Sequence, residues 1–212
     1  MSMFTRMKET LLENTFLAYK RELFAGTSGN LSCLDATGTK IAITPSSYPY
    51  EKMTQDDIVI IEASSGAVVE GKRKPSSEWR MHAAIYREVS GARGVVHIHS
   101  PYATALAVAG KGIPLVLIET LVYIGGDVPL AEFGLPGTEE LGAVVAKTLK
   151  SRNACLMANH GAVAIGESLE QAMLRATYIE DAAKIYFLAL QAGGAVALSD
   201  KDLEAMRKNL GN

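Results

Sequence analysis

Between residues 31 and 70 the chain carries four short runs rich in apolar and β-branched residues, joined in pairs by turns too short to hold a helix. Runs 31–34 and 40–44 flank Asp35-Ala36-Thr37-Gly38, and runs 57–62 and 67–70 flank Ser64-Ser65-Gly66. Strands joined so closely form hairpins, and hairpins pair antiparallel, whereas a parallel sheet needs a long crossover between neighbours. The second half of the chain alternates helical and strand-like segments instead. The two halves together predict an α/β fold on a mixed, largely antiparallel central sheet.

Residues 4–23 repeat apolar positions at helical spacing (Met7, Leu11, Leu12, Phe16, Tyr19, Leu23) and read as a helix packed on one face, stopping at Gly26. A second helix is expected after Pro75, capped by Ser76 or Ser77, with Glu78 in its first turn near the positive end of the helix dipole. A third begins at Ser100-Pro101, with Ser100 as cap and proline at the first helical position. Helices over 139–150, from Ser168 to about 191, and from Ser199-Asp200 follow, and runs 154–158 and 162–165 read as paired strands hinged at His160-Gly161. There is no internal repeat and no linker, so 1–212 is expected to be a single domain, large enough to bury roughly 70% of its unfolded surface.

A formal charge of −2 without a long basic run removes the electrostatic footprint of a nucleic-acid binder. Cys33 and Cys155 are too few and too far apart for a disulfide framework and read as buried thiols of a reducing compartment. The first residues lead straight into a charged amphipathic segment, and no apolar run is long enough to span a bilayer, so neither a signal peptide nor a membrane partner is expected and the protein is read as cytoplasmic.

Val95-Val96-His97-Ile98-His99-Ser100 places two of the four histidines one residue apart in a buried strand. Side chains alternate faces along a strand, so both imidazoles project the same way. By itself such a pair is as readily two packed histidines as a metal site. A third histidine, His160, stands at the end of another apolar run, and Glu78 adds an acid beside a Ser-Ser turn. Three protein ligands with an open position make a catalytic site for a zinc-type ion. His82, four residues after Glu78, reads as a packed or capping histidine.

Three loops share a small, hydroxyl-rich composition: Thr27-Ser28-Gly29-Asn30, Thr44-Pro45-Ser46-Ser47 and Ser76-Ser77. Exposed N–H and hydroxyl groups in such loops can cradle an anion, but separate turns and caps have the same composition. Tyr48 and Tyr50 either flank a bound sugar or pack a turn.

Taken together, the segments Gly26-Thr27-Ser28-Gly29-Asn30-Leu31-Ser32, Ile43-Thr44-Pro45-Ser46, Pro75-Ser76-Ser77-Glu78-Trp79-Arg80, His97-Ile98-His99 and Asn159-His160-Gly161 resemble the class II aldolase/adducin family, in its order and spacing over most of the chain. The resemblance implies a three-layer α/β/α sandwich, a homotetramer with active sites at subunit interfaces, and one divalent metal per subunit, zinc or else manganese, on His97, His99 and His160. Glu78 matches the acid that ligates the resting metal and then transfers a proton, and Gly29, Asn30, Ser46, Ser47, Ser76 and Ser77 match the phosphate loops.

The activity so implied is cleavage of a ketose 1-phosphate, such as L-fuculose 1-phosphate or a 5-deoxypentulose 1-phosphate, to dihydroxyacetone phosphate and a small aldehyde through a metal-stabilised enediolate. Methylthioribulose-1-phosphate dehydration and pentulose-5-phosphate 4-epimerisation are alternatives on the same scaffold, and a non-catalytic adducin-like module is a third. The epimerases carry an aspartate where this chain has Glu78, and the adducin head lacks the histidine set. Two departures stand out. Ser47 replaces a glycine of the family's phosphate loop, and of the two tyrosines that work at the aldehyde end only a mid-chain candidate, Tyr123, with Glu119 next, is present; no tyrosine follows Tyr186.

Overall fold

The computed structural model describes residues 3–209; Met1, Ser2 and the last three residues lie outside them. The chain runs α1 (Met3–Lys20), β1 (Asn30–Leu34), β2 (Lys40–Ile43), β3 (Val59–Glu62), β4 (Val68–Glu70), α2 (Trp79–Glu88), β5 (Gly94–Ile98) and α3 (Pro101–Val108). It continues through β6 (Leu130–Ala131), α4 (Glu139–Leu149), β7 (Ala154–Met157), β8 (Gly161–Gly166), α5 (Leu169–Gln191) and α6 (Asp200–Asn209).

All eight strands join one sheet in the order β4-β3-β2-β1-β5-β8-β7-β6. Every pairing is antiparallel except β6 with β7. The mixed, largely antiparallel sheet expected from the hairpins is therefore present. No β6 was foreseen: two residues following Pro129 carry no periodicity to read.

Strand alternation sorts the core into two layers. Leu31, Cys33, Val96, Ile98, Ala162 and Ala164 pack with α1, α3 and α5 on one face. On the other, Val95, Val163 and Ile165 pack with α2 and α4. Alternate residues of the central strands thus feed opposite layers by pleat alone, and the result is the α/β/α sandwich. Asn30, Ser32 and His97 share the face toward α2, because they alternate with Leu31, Cys33 and Val96.

The helix ends depart from expectation in instructive ways. The first helix stops at Lys20, and Glu22 turns left-handed at φ 56°. Glu78 is the N-cap residue of α2 and not part of its first turn; neither serine takes that place, although Ser76 Oγ accepts the Glu78 N–H at 3.3 Å. Ser100 sits at the N-cap of α3, but its hydroxyl does not cap. The Glu180 carboxylate of α5 accepts the Tyr102 and Ala103 N–H groups instead, at 3.0 and 2.9 Å. Thr138 caps α4, starting it at residue 139, and Ser168 caps α5, both at the helix starts expected from the sequence. No helix among the described residues is long and apolar enough to cross a membrane.

Candidate metal centre and anion pocket

The centre of the sheet brings the separated histidines together. His97 lies in β5, His99 just beyond it, and His160 at the tight turn joining β7 to β8, the immediate neighbour of β5. The turn is made by Asn159, one of the few residue types that tolerates a left-handed backbone (φ 57°). Ligand atoms of His97, His99 and His160 all lie within 4.8 Å of one another, and the His97 and His99 Nε2 atoms approach to 2.9 Å.

Tautomers follow from partners. His97 Nδ1 faces the Ala162 carbonyl oxygen at 3.0 Å. A carbonyl can only accept, so Nδ1 carries the proton and Nε2 turns its lone pair toward the other rings, the arrangement seen in metal-ligating histidines. Glu78 places Oε2 3.2 Å from His97 Nε2 and Oε1 3.3 Å from His160 Nε2. That position explains why Glu78 does not cap α2 with its side chain.

Burial alone would raise the Glu78 pKa, but His97, His160 and the Asn30 hydrogen bond overcome it and hold the carboxyl well below the usual carboxylate range. Burial, with His97 beside them, lowers His99 to about 3 and His160 to about 4. Burial opposes charging His97 as well, yet Glu78 makes it the most basic of the three.

The donor set fits a divalent cation. It comprises three imidazoles, two of them held neutral, and one carboxylate whose buried Oε1 lacks any hydrogen-bond donor. An unpaired acceptor at that depth is costly unless something positive meets it.

The three small-residue loops converge beside this cluster. Gly29, Asn30, Ser46, Ser47, Ser76 and Ser77 line one cavity of about 240 Å³ together with Glu78, His99 and His160. Backbone hydrogen bonds zip two of the loops, Ser46 N to Lys74 O and Ser76 N to Thr44 O, both at 3.0 Å. The third is buttressed by Tyr50, whose hydroxyl donates to the Gly29 carbonyl at 2.6 Å and whose ring stacks on Phe24. Tyr50 therefore packs a turn, and Tyr48 lies under the Arg73 guanidinium. Gly29 is at φ +89°, and a methyl there would strike Phe24 at 2.5 Å, so no other residue fits.

Tyr123 stands apart within the chain. It lies in a π-helical turn, Thr120–Ile124, and its ring stacks on Tyr178 of α5 at 4.2 Å. Neither it nor Glu119 lines the cavity with the histidines.

The residue that sequence reasoning undervalued is His82. It is fully buried in α2, with Nε2 2.5 Å from Asn30 Oδ1 and Nδ1 2.6 Å from Ser32 Oγ. Burial, with His97 nearby, lowers its pKa to about 3. A signal existed: Ser32 sits two residues after Asn30 on the same strand face, and His82 four after Glu78 on the same helix face.

A three-histidine cluster with an adjoining carboxylate, beside a hydroxyl-lined cavity and set on a central, largely antiparallel sheet, is an arrangement of the class II aldolase type. The chain belongs to that family: the model for the class II aldolase and adducin N-terminal domain matches residues 9–187. Family members use a divalent metal, and His97, His99 and His160 form a site for one here.

Among its relatives is the L-fuculose phosphate aldolase of Escherichia coli (strain K12), 37% identical over 196 residues, covering 92% of this chain and 87% of the relative. The 5-deoxy-D-ribulose 1-phosphate aldolase of Bacillus thuringiensis serovar kurstaki is 34% identical over 186 residues, covering 88% and 86%. A solved structure of an L-fuculose 1-phosphate aldolase superposes with a TM-score of 0.90 at 36% identity, covering 98% of this chain and 97% of that one.

Proposed function

We propose that the protein is a metal-dependent aldolase that cleaves a ketose 1-phosphate, L-fuculose 1-phosphate or a 5-deoxypentulose 1-phosphate, to dihydroxyacetone phosphate and a small aldehyde. One observation carries the proposal: His99, His160 and Glu78 share a single cavity with the three small-residue loops, and His97 lies within ligand reach of both histidines. The names of the relatives support the substrate class.

In this reading His97, His99, His160 and resting Glu78 hold one zinc ion per subunit, with manganese the second choice. The cation supplies Lewis-acid stabilisation of the negative charge that develops on the ketose oxygens. Gly29, Asn30, Ser46, Ser47, Ser76 and Ser77 grip the phosphate and orient the substrate at a distance from the bond that breaks. When the bond between C3 and C4 opens, the group at the aldehyde end, in its basic form, takes the C4 hydroxyl proton as the aldehyde leaves, and Glu78, displaced by substrate and protonated from solvent, passes that proton to C3; in the synthetic direction both transfers reverse.

Tyr123, with Glu119 as substitute, is proposed as the acid at the aldehyde end. Because it does not line the cavity of its own chain, we assign it to the site of a neighbouring subunit, in a homotetramer whose sites lie at interfaces. We place the enzyme in the cytoplasm and treat residues 1–212 as one catalytic unit.

The test is release of dihydroxyacetone phosphate from a panel of ketose 1-phosphates by the zinc-loaded protein. Turnover of at least one, abolished by a chelator and restored by added metal, is expected. Silence across the panel, with conversion of methylthioribulose 1-phosphate to a dehydrated product, would replace the aldolase by the dehydratase.

A further inference from the structure

We infer that His82 is a positioning residue for Glu78, acting through a buried relay, Ser32–His82–Asn30, in which every hydrogen bond is donated toward the carboxylate. The inference rests on the proton-transfer role given above to Glu78.

The polarity follows from the chain of partners. Asn30 Nδ2 donates to Glu78 Oε2 at 2.8 Å, so its amide oxygen points the other way, at His82. That oxygen can only accept; His82 Nε2, 2.5 Å away, therefore carries the proton. A neutral ring with its proton on Nε2 has a bare Nδ1, which needs a donor, and Ser32 Oγ supplies one at 2.6 Å. Tyr86 completes the line: its hydroxyl lies 2.7 Å from Ser32 Oγ and 2.9 Å from the Ser32 carbonyl, and its single proton, donated to Oγ, leaves the Ser32 proton for His82.

An asparagine amide has two orientations that differ only by exchange of oxygen and nitrogen. Reversed, Asn30 would set its oxygen against the Glu78 carboxylate, two acceptors face to face in a dry site. The His82 N–H is what selects between them. Ser32 and Tyr86 select the His82 tautomer in turn, and β1 and α2 hold the relay rigid on the face of the sheet opposite α5. Such a network, fully satisfied and buried, fixes geometry more strongly than its separate bonds suggest.

A bystander histidine could leave the site untouched; a positioning one affects turnover through Glu78 alone. Three measurements separate these. In the wild-type zinc-loaded protein, nitrogen-15 NMR of the imidazoles at neutral pH should show His82 as the neutral Nε2–H form; an Nδ1–H or doubly protonated ring would overturn the relay whether or not the protein is an aldolase.

In the aldolase assay, H82N, which removes the Nε2 donor, should lower kcat by about 10–100-fold with KM within about threefold, the scale typical of residues that orient a metal's ligands. H82Q, whose amide nitrogen can occupy the Nε2 position, should restore most of the loss. In an E78Q background H82N should cost no further activity. An equal loss from H82N with and without Glu78, or an equal loss from H82N and H82Q, would overturn the proposal.

Discussion

Gly161 offers the sharpest test of how the metal cluster is assembled. The residue follows His160 and opens β8, and a methyl built on it would lie 2.4 Å from the Ile98 carbonyl oxygen and 3.2 Å from Cε1 of His97. Nonbonded heavy atoms settle at about 3.5–4.0 Å, so in G161A the start of β8 must retreat from β5 by about 1 Å. Gly161 is not in the left-handed region, so the cost is steric alone. Overpacking of this kind destabilises by about 1–3 kcal/mol.

Ligand distances tolerate only about 0.2 Å, so a retreat of that size should also weaken metal binding at least about tenfold, about 1.4 kcal/mol. Urea unfolding of the metal-free protein reads the first effect, and competition with a chromophoric chelator reads the second. G91A is the control: it is left-handed at φ +81° with nothing within 4 Å, so it should lose about 1–2 kcal/mol from strain and leave metal affinity unchanged. A G161A protein with the wild-type urea midpoint and wild-type zinc affinity would refute the close approach as the device that seats His160 against His97.

Three further outcomes are expected. E78Q should keep its metal, by direct metal analysis, and lose about 100-fold or more of its turnover; full activity would remove Glu78 from the chemistry. Ser47 is left-handed at φ 51°, a conformation that costs a residue other than glycine about 1–2 kcal/mol, so S47G should unfold at higher denaturant while KM for the phosphate ester rises several-fold as a donor hydroxyl is lost. Asp57 is buried, which raises its pKa, but Arg73 at 2.5 Å and Thr54 hold it below its ordinary value. A carboxyl so depressed stabilises the fold above about pH 4 and ceases to as pH falls through its folded value, so the stability gap between wild type and D57N should be wide at pH 7 and narrow at pH 3.

Much of this architecture was legible because it is local. Hairpin turns announced the antiparallel half of the sheet, the HxH pair announced its own shared face, and Thr138 and Ser168 announced helix starts. What was hidden depends on residues far apart in sequence. Ser100 resembles a cap in isolation, but Glu180, 80 residues later, takes the role. Glu78 stands out in the sequence as an acid beside a Ser-Ser turn, but its place as the N-cap residue of α2, with the carboxylate turned to His97 and His160, depends on strands far along the chain. The convergence of the small-residue loops needed the family resemblance, since composition does not encode which turns meet. His82 read as a packed or capping histidine, and burial is indeed its environment; the shared face of Asn30 and Ser32 was readable, but not that β1 lies against α2.

The order of strands around β5 has a consequence for biosynthesis. His97 is flanked by β1 on one side and β8 on the other, so the cluster closes only when a hairpin from the last third of the sequence is inserted beside a strand from its middle. A polypeptide still emerging from the ribosome carries Glu78 and two of the three imidazoles but not His160. The full set of four groups therefore comes together only once β8 has joined β5.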